Sequence, residues 1–203
     1  MQKEKKIHWF EKIENLHPYR TIMYLGMFGS GLIFLFLMTA FVNSQPEAGR
    51  YDQFAIPKSF ILSSMVIIIS SFTSGKILPY FNSNNIEKTK IYLFITLLLG
   101  LLFSTLQFTG WRELSNMGID FKGLPSGSFL YLLSGIHLFH LAGALIYAFV
   151  LLVQIQKSEK DPVSTLILLA NPYEAMKLGL FSVYWKFMDA IWLILFILFL
   201  WMF

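Results

Sequence analysis

The chain has 203 residues, of which 56% are hydrophobic, 17% aromatic and 14% charged, with 21 Phe and a formal net charge of +4. Soluble domains carry roughly 25% charged residues and rarely expose large apolar patches, so this composition excludes a water-soluble globule and implies a membrane protein. Cysteine is absent, which leaves no disulfide, thiolate nucleophile or zinc cluster, and the thinly spread positive charge lacks the basic block with interleaved aromatics of a nucleic-acid binder.

Residues 1–20, MQKEKKIHWFEKIENLHPYR, are charged almost throughout and lack the apolar run of a cleavable signal. With Ile7, Trp9, Phe10 and Ile13 set among the charges, they read as a basic cytoplasmic or interfacial segment. A membrane-crossing helix needs about 20 mainly apolar residues. Residues 22–42, 60–78, 91–109, 129–153 and 181–203 meet or approach that requirement. The expected fold is therefore all-α, a bundle of five transmembrane helices occupying residues 21–203. Turn signals such as NSQP (43–46) and NSNN (82–85) mark the short loops. All seven prolines fall outside or at the edges of the five segments, so the spans read as continuous, unlike the broken mid-membrane helices of many transporters.

Orientation follows from the basic residues of the short loops. Lys3, Lys5, Lys6, Lys12, Arg20, Lys76, Lys88, Lys90, Lys157, Lys160 and Lys177 fall on one side, and only Arg50, Lys58, Arg112 and Lys122 on the other. The N-terminus is expected in the cytoplasm and the C-terminus outside.

Ionisable groups inside a span cost several kcal/mol, which makes each a functional candidate. His137 and His140 lie in the fourth span, Lys186 and Asp189 in the fifth, and Gln107 ends the third. The two histidines are three residues apart and project from one helix face, so they cannot clamp one haem between them, and His8 and His17 precede the first span. The chain is expected to hold no metal, no cofactor and no catalytic group. The His pair and Gln107 read as hydrogen-bonding to neighbouring helices. Lys186 and Asp189 can pair on one face, with Lys186 snorkelling towards the interface and Asp189 paired, protonated or facing a partner. Small residues in the first span (Gly26, Gly29, Ser30, Gly31) and the fourth (Gly135, Ala142, Gly143, Ala144) invite close helix approach.

These residues carry a resemblance. GSFLYLLSGIHLFHLAG (127–143) resembles the GxHxxHxxxG helix of subunit III of the haem–copper oxidases, and YWKFMDAIWL (184–193) resembles that family's YWHFVDxVWL signature, with Asp189 and Trp192 at its Asp and Trp positions. LSSM (62–65) with SSFT (70–73) is similar to its Ser/Thr-rich helix, LLLG (97–100) with QFTGW (107–111) to its GxxFxxxQxxEW helix, and RTIM (20–23) to its RTGMW opening. The family's buried glutamate falls at about Ser30, the Glu of QxxEW at Gly110 with Glu113 following, and the His of YWHF at Lys186. The chain resembles the five-helix bacterial type.

The resemblance implies an accessory subunit, without a catalytic centre of its own, in a complex that reduces dioxygen to water and pumps protons in aerobic respiration. It implies a place in the bacterial cytoplasmic membrane. The partners would be oxidase subunit I above all, subunit II and smaller subunits, structural phospholipid and a respiratory supercomplex, but no nucleic acid. The haems and copper would sit in the partner subunits. Packing on subunit I would stabilise it and support proton uptake and oxygen access. A subunit III homologue of a quinol oxidase or one attached to nitric oxide reductase is the alternative within the family. A small multi-pass transporter or channel is the alternative outside it.

Overall fold

A computed structural model describes residues 17–44, 56–121 and 125–202; most of the expected basic segment, residues 1–16, lies outside them. The described residues form six helices: α1 (Pro18–Asn43), α2 (Lys58–Asn82), α3 (Ile86–Asn116), α4 (Pro125–Ser158), α5 (Pro162–Ala170) and α6 (Pro172–Met202). All but α5 are long and apolar enough to cross a membrane.

Each long helix outruns the apolar segment that announced it. Pro18, Pro125, Pro162 and Pro172 each open a helix, the position where a missing N–H costs nothing. Asn85 caps α3 by accepting from Lys88 N–H at 3.0 Å, after a tight turn in which Asn84 takes φ 58°. Pro79 lies inside the last turn of α2, so that helix runs past the edge the sequence suggests.

α5 falls in a stretch too short to span. Asp161 caps it, accepting from Val163 N–H at 3.3 Å and Ser164 N–H at 3.0 Å. The Ser164 hydroxyl, followed by the Ser164 and Val163 amides, holds the Asp161 carboxyl below its ordinary value of 3.8. A carboxyl whose folded value is depressed stabilises the fold above the ordinary value and loses that contribution as pH falls through the folded value. The expected result is an α5 N-terminus that stays ordered down to about pH 4 and frays below it. Asp161→Ala should be frayed at neutral pH already, as read from the mobility of a spin label at Ile167.

α2, α3, α4 and α6 enclose the core in a ring, with α2 packed most extensively on α3 and closed by α6. α1 leans on α4 and α6 from outside, inserting Phe34 and Phe41, while Ile22, Leu25, Phe28 and Phe36 face outward. Phe41 meets Phe129 and Phe199 with ring centroids 5.8 and 6.1 Å apart. At the end where α1 begins, a Lys90–Glu159 ion pair ties α3 to α4. There Lys177 binds Glu174 at 2.7 Å and Gln154 at 3.1 Å, tying α4 to α6.

A buried polar seam as the candidate functional site

A strip of polar side chains runs through the otherwise apolar interior. Ser59, Ser63, Ser64, Ser70 and Ser74 are all buried along α2. Within a helix, a serine hydroxyl donates to the carbonyl of the previous turn and keeps its lone pairs free to accept. Ser63 and Ser64 donate to Phe60 O at 2.9 and 2.8 Å, and Ser70 donates to Ile67 O at 2.8 Å. The other helices use the lone pairs. Gln107 of α3 donates to Ser63 at 2.8 Å, Trp192 of α6 donates to Ser64 at 2.9 Å, and Trp185 of α6 donates to Ser70 at 3.0 Å. Ser182 of α6 completes the seam by donating to the Ser74 carbonyl at 2.8 Å. The Ser/Thr-rich pattern of α2 signalled this strip, but nothing in the sequence paired Trp185 or Trp192 with its serine.

Trp192 is the hub. Fully buried, it meets Phe60, Phe103 and His137 with centroid distances of 5.8, 5.0 and 5.2 Å. His137 Nε2–H donates to the Met188 carbonyl at 3.1 Å, and its Nδ1 is buried without a hydrogen-bond partner. His140, one turn on, does different work. Its Nδ1–H donates to Ile136 O at 2.9 Å, and its Nε2 accepts from Ser30 of α1 at 3.2 Å. Ser30 thus tethers the outer helix to the motif helix.

The two groups expected to pair on α6 diverge instead. Asp189 points into the seam on the side of Ser70 and Ser71, 2% exposed, and neither carboxyl oxygen makes a hydrogen bond of acceptable geometry. Lys186 is exposed and lays its ammonium over Gly75 of α2, where a Cβ would stand 3.1 Å from Nζ. The ion pairs among the described residues are Lys90–Glu159 and Lys177–Glu174; Lys186–Asp189 is not one of them. Burying the ammonium would cost more hydration than the pair returns, so the flexible stem carries it outward. An unpaired charge at Asp189 would cost several kcal/mol, whereas an amide of the same shape is neutral. Asp189→Asn is therefore expected to hold or raise the melting temperature of the purified chain, with any loss below about 1 kcal/mol. A larger drop would show that the carboxylate has a partner.

Gly110 and Glu113 explain the altered QxxEW pattern. A Cβ at Gly110 would run into the Phe60 ring, which fills the space a longer side chain would need. Glu113, one turn later, accepts from the Ser59 hydroxyl and, at 3.5 Å, from the Ser59 backbone N–H. That places a carboxylate on the N-terminal turn of α2, where helix polarity favours negative charge. Sequence reasoning also missed the contact of Trp111 N–H with Ser134 at 3.0 Å and the Tyr131 hydroxyl, which donates to Trp111 O at 3.0 Å and Ile119 O at 2.9 Å.

Among the described residues, no three His, Cys, Asp or Glu side chains converge to hold a metal ion. A cleft of about 370 Å³ opens between α1, α4 and α6, its wall including Tyr19, Met23, Tyr147, Lys177, Phe181 and Tyr184. Its apolar depth and its rim of phenols and one ammonium suit an amphiphile.

No family model matches the chain. It is similar to a protein described as "Probable quinol oxidase subunit 3" from Staphylococcus aureus (strain USA300), 27% identical over 168 residues that cover 82% of this chain and 78% of the relative. It is also 28% identical over 154 residues to "Cytochrome c oxidase subunit 3" from Bacillus sp. (strain PS3), covering 76% of this chain and 68% of that one. Five spans in order, the two motif helices meeting at Trp192 and these matches over most of both chains make this protein a homologue of oxidase subunit III, resident in the bacterial cytoplasmic membrane.

Proposed function

We propose that the chain packs as subunit III on subunit I of a haem–copper terminal oxidase, prolongs the working life of its catalytic centre and supports proton uptake and oxygen access. The observation that carries this reading is the seam itself. Its histidines, serines, Gln107 and tryptophans bind backbone and one another, leaving no convergent set for chemistry. Such a bundle acts by packing, field and solvent access. Among the described residues α1 through α4 and α6 are continuous helices, which favours this reading over a transporter with a broken-helix site.

In this reading residues 21–203 are the oxidase subunit III-like domain and residues 1–20 lie at the cytoplasmic face, with the C-terminus outside, as the basic residues of the short loops favour. The cleft beside α1 holds a phospholipid chain. Relatives named for quinol and for cytochrome c oxidases match almost equally, at 27% and 28%, so the choice of electron donor belongs to the other subunits.

The test is purification of the tagged chain in mild detergent with a reduced-minus-oxidised spectrum of the eluate. The expected result is a large multi-span partner with haem a-type or b/o-type bands, and the band type narrows the donor class. A colourless, partner-free chain would overturn the assignment.

A further inference from the structure

The nine residues of α5, PVSTLILLA, carry no charge, yet the helix is turned so that one aliphatic face points away from the protein while Leu168 and Leu169 face the core. Val163, Leu166 and Ile167 are 62%, 67% and 64% exposed, and Ala170 continues the same face. The polar residues lie on the opposite side. Thr165 donates its hydroxyl to the Ser158 carbonyl at 2.8 Å, and Ser164 closes on Asp161, while Leu168 packs into the core. In water this arrangement is inverted. In contact with hydrocarbon it is the arrangement of α1, which likewise turns Ile22, Leu25 and Phe28 outward.

Height along the bundle follows from connectivity. α5 joins the last turn of the spanning helix α4 to the first turn of the spanning helix α6, two residues separating Ser158 and Asp161 and one residue separating Ala170 and Pro172. It is held where a bilayer passes from acyl chain to headgroup. Lys157 and Lys160 stand exposed at its start and enter neither ion pair of the described residues, whereas Glu159 is taken by Lys90. Even with the Asp161 carboxylate that caps α5, these two exposed ammonium groups leave the local charge positive beside an uncharged aliphatic face, which complements an anionic lipid surface.

We infer that α5 is a membrane-interface helix, its Val163–Leu166–Ile167 face buried in the lipid of the leaflet at that end of the bundle and Lys157 and Lys160 set among anionic headgroups. The inference rests on the spans alone and stands or falls separately from the oxidase assignment. Its consequence is local. Anchored in lipid, α5 fixes the height at which Glu174, Lys177 and Gln154 join α4 to α6 beside the cleft.

The chain has no native cysteine, so single cysteines at positions 162–170 give unique spin labels within it. The experiment uses the full chain, purified with whatever partners it retains and reconstituted in liposomes of neutral lipid with or without phosphatidylglycerol. Unsubstituted protein gives the background. Collision with oxygen, which concentrates in lipid, is expected to exceed collision with a water-soluble nickel chelate several-fold at 163, 166, 167 and 170, and to fall at 164, 165 and 168. Lys157→Gln with Lys160→Gln should remove any deepening that phosphatidylglycerol produces. Preferential collision with the nickel chelate at 166 and 167 would overturn the inference. So would exclusion of both reagents there, which would mean that a protein surface covers the face.

Discussion

Gly110→Glu, the substitution that restores the family's QxxEW pattern, is expected to destabilise this chain by on the order of 3 kcal/mol and to lower its yield and melting temperature in detergent. A Cβ at this position already meets the Phe60 ring. That ring cannot swing away, because it is fully buried and held edge-on to Trp192 at 5.8 Å. The rest of the glutamate would bring a carboxylate into a space without a cation. Gly110→Ala should show the steric part alone, and the double variant with Phe60→Ala should lose less than the sum of the two single losses, because the clash is absent from it. An unaltered melting temperature for Gly110→Glu would show that the Phe60 ring is free to move. The carboxylate of this helix stands at position 113, about one turn on from 110, where it meets the α2 N-terminus.

Much of this architecture can be read from the residues, and the boundary of what can be read has a physical origin. Length and hydropathy locate five spans because a bilayer needs about 20 apolar residues whatever their order. They say little about rotation. A helix surrounded by lipid on one side and by apolar neighbours on the other has no strong polar face to orient it, so Trp192 could not be assigned to Ser64, nor Gln107 to Ser63, in advance. The α6 pair shows the same limit. Lys186 and Asp189 are three apart and near enough in angle to pair, but solvation sends one out over Gly75 and the other into the seam. For α5 the local signals were present: Asp161 followed by Pro162 is a helix start. The run after them was too short to count as a span, and only its packing shows that Val163, Leu166 and Ile167 turn away from the protein while Leu168 and Leu169 turn in.

Trp192→Ala is the substitution expected to damage the bundle most broadly. Association between helices in lipid gains nothing from moving apolar surface out of water, so the loss comes from packing and from the hydrogen bond. Deleting the indole leaves a void beside the rings of Phe60, Phe103 and His137, all within 5.8 Å between centroids. Buried Trp→Ala changes in soluble proteins cost about 3–5 kcal/mol, and the cavity part of that survives in a membrane, giving about 2–3 kcal/mol here. The Ser64 hydroxyl, which accepts the indole N–H at 2.9 Å, still donates to the Phe60 carbonyl at 2.8 Å, so losing Trp192 does not orphan it as a donor. Trp192→Phe should therefore cost far less, about 1 kcal/mol, because most of the ring volume remains and only one hydrogen bond is lost. The pair of variants separates volume from hydrogen bonding when melting temperatures are compared in one detergent. Equal losses would make the Ser64 bond the dominant contribution. A small loss for both would mean that α2, α3, α4 and α6 close around the void, and that the centre of the seam is softer than its aromatic packing implies.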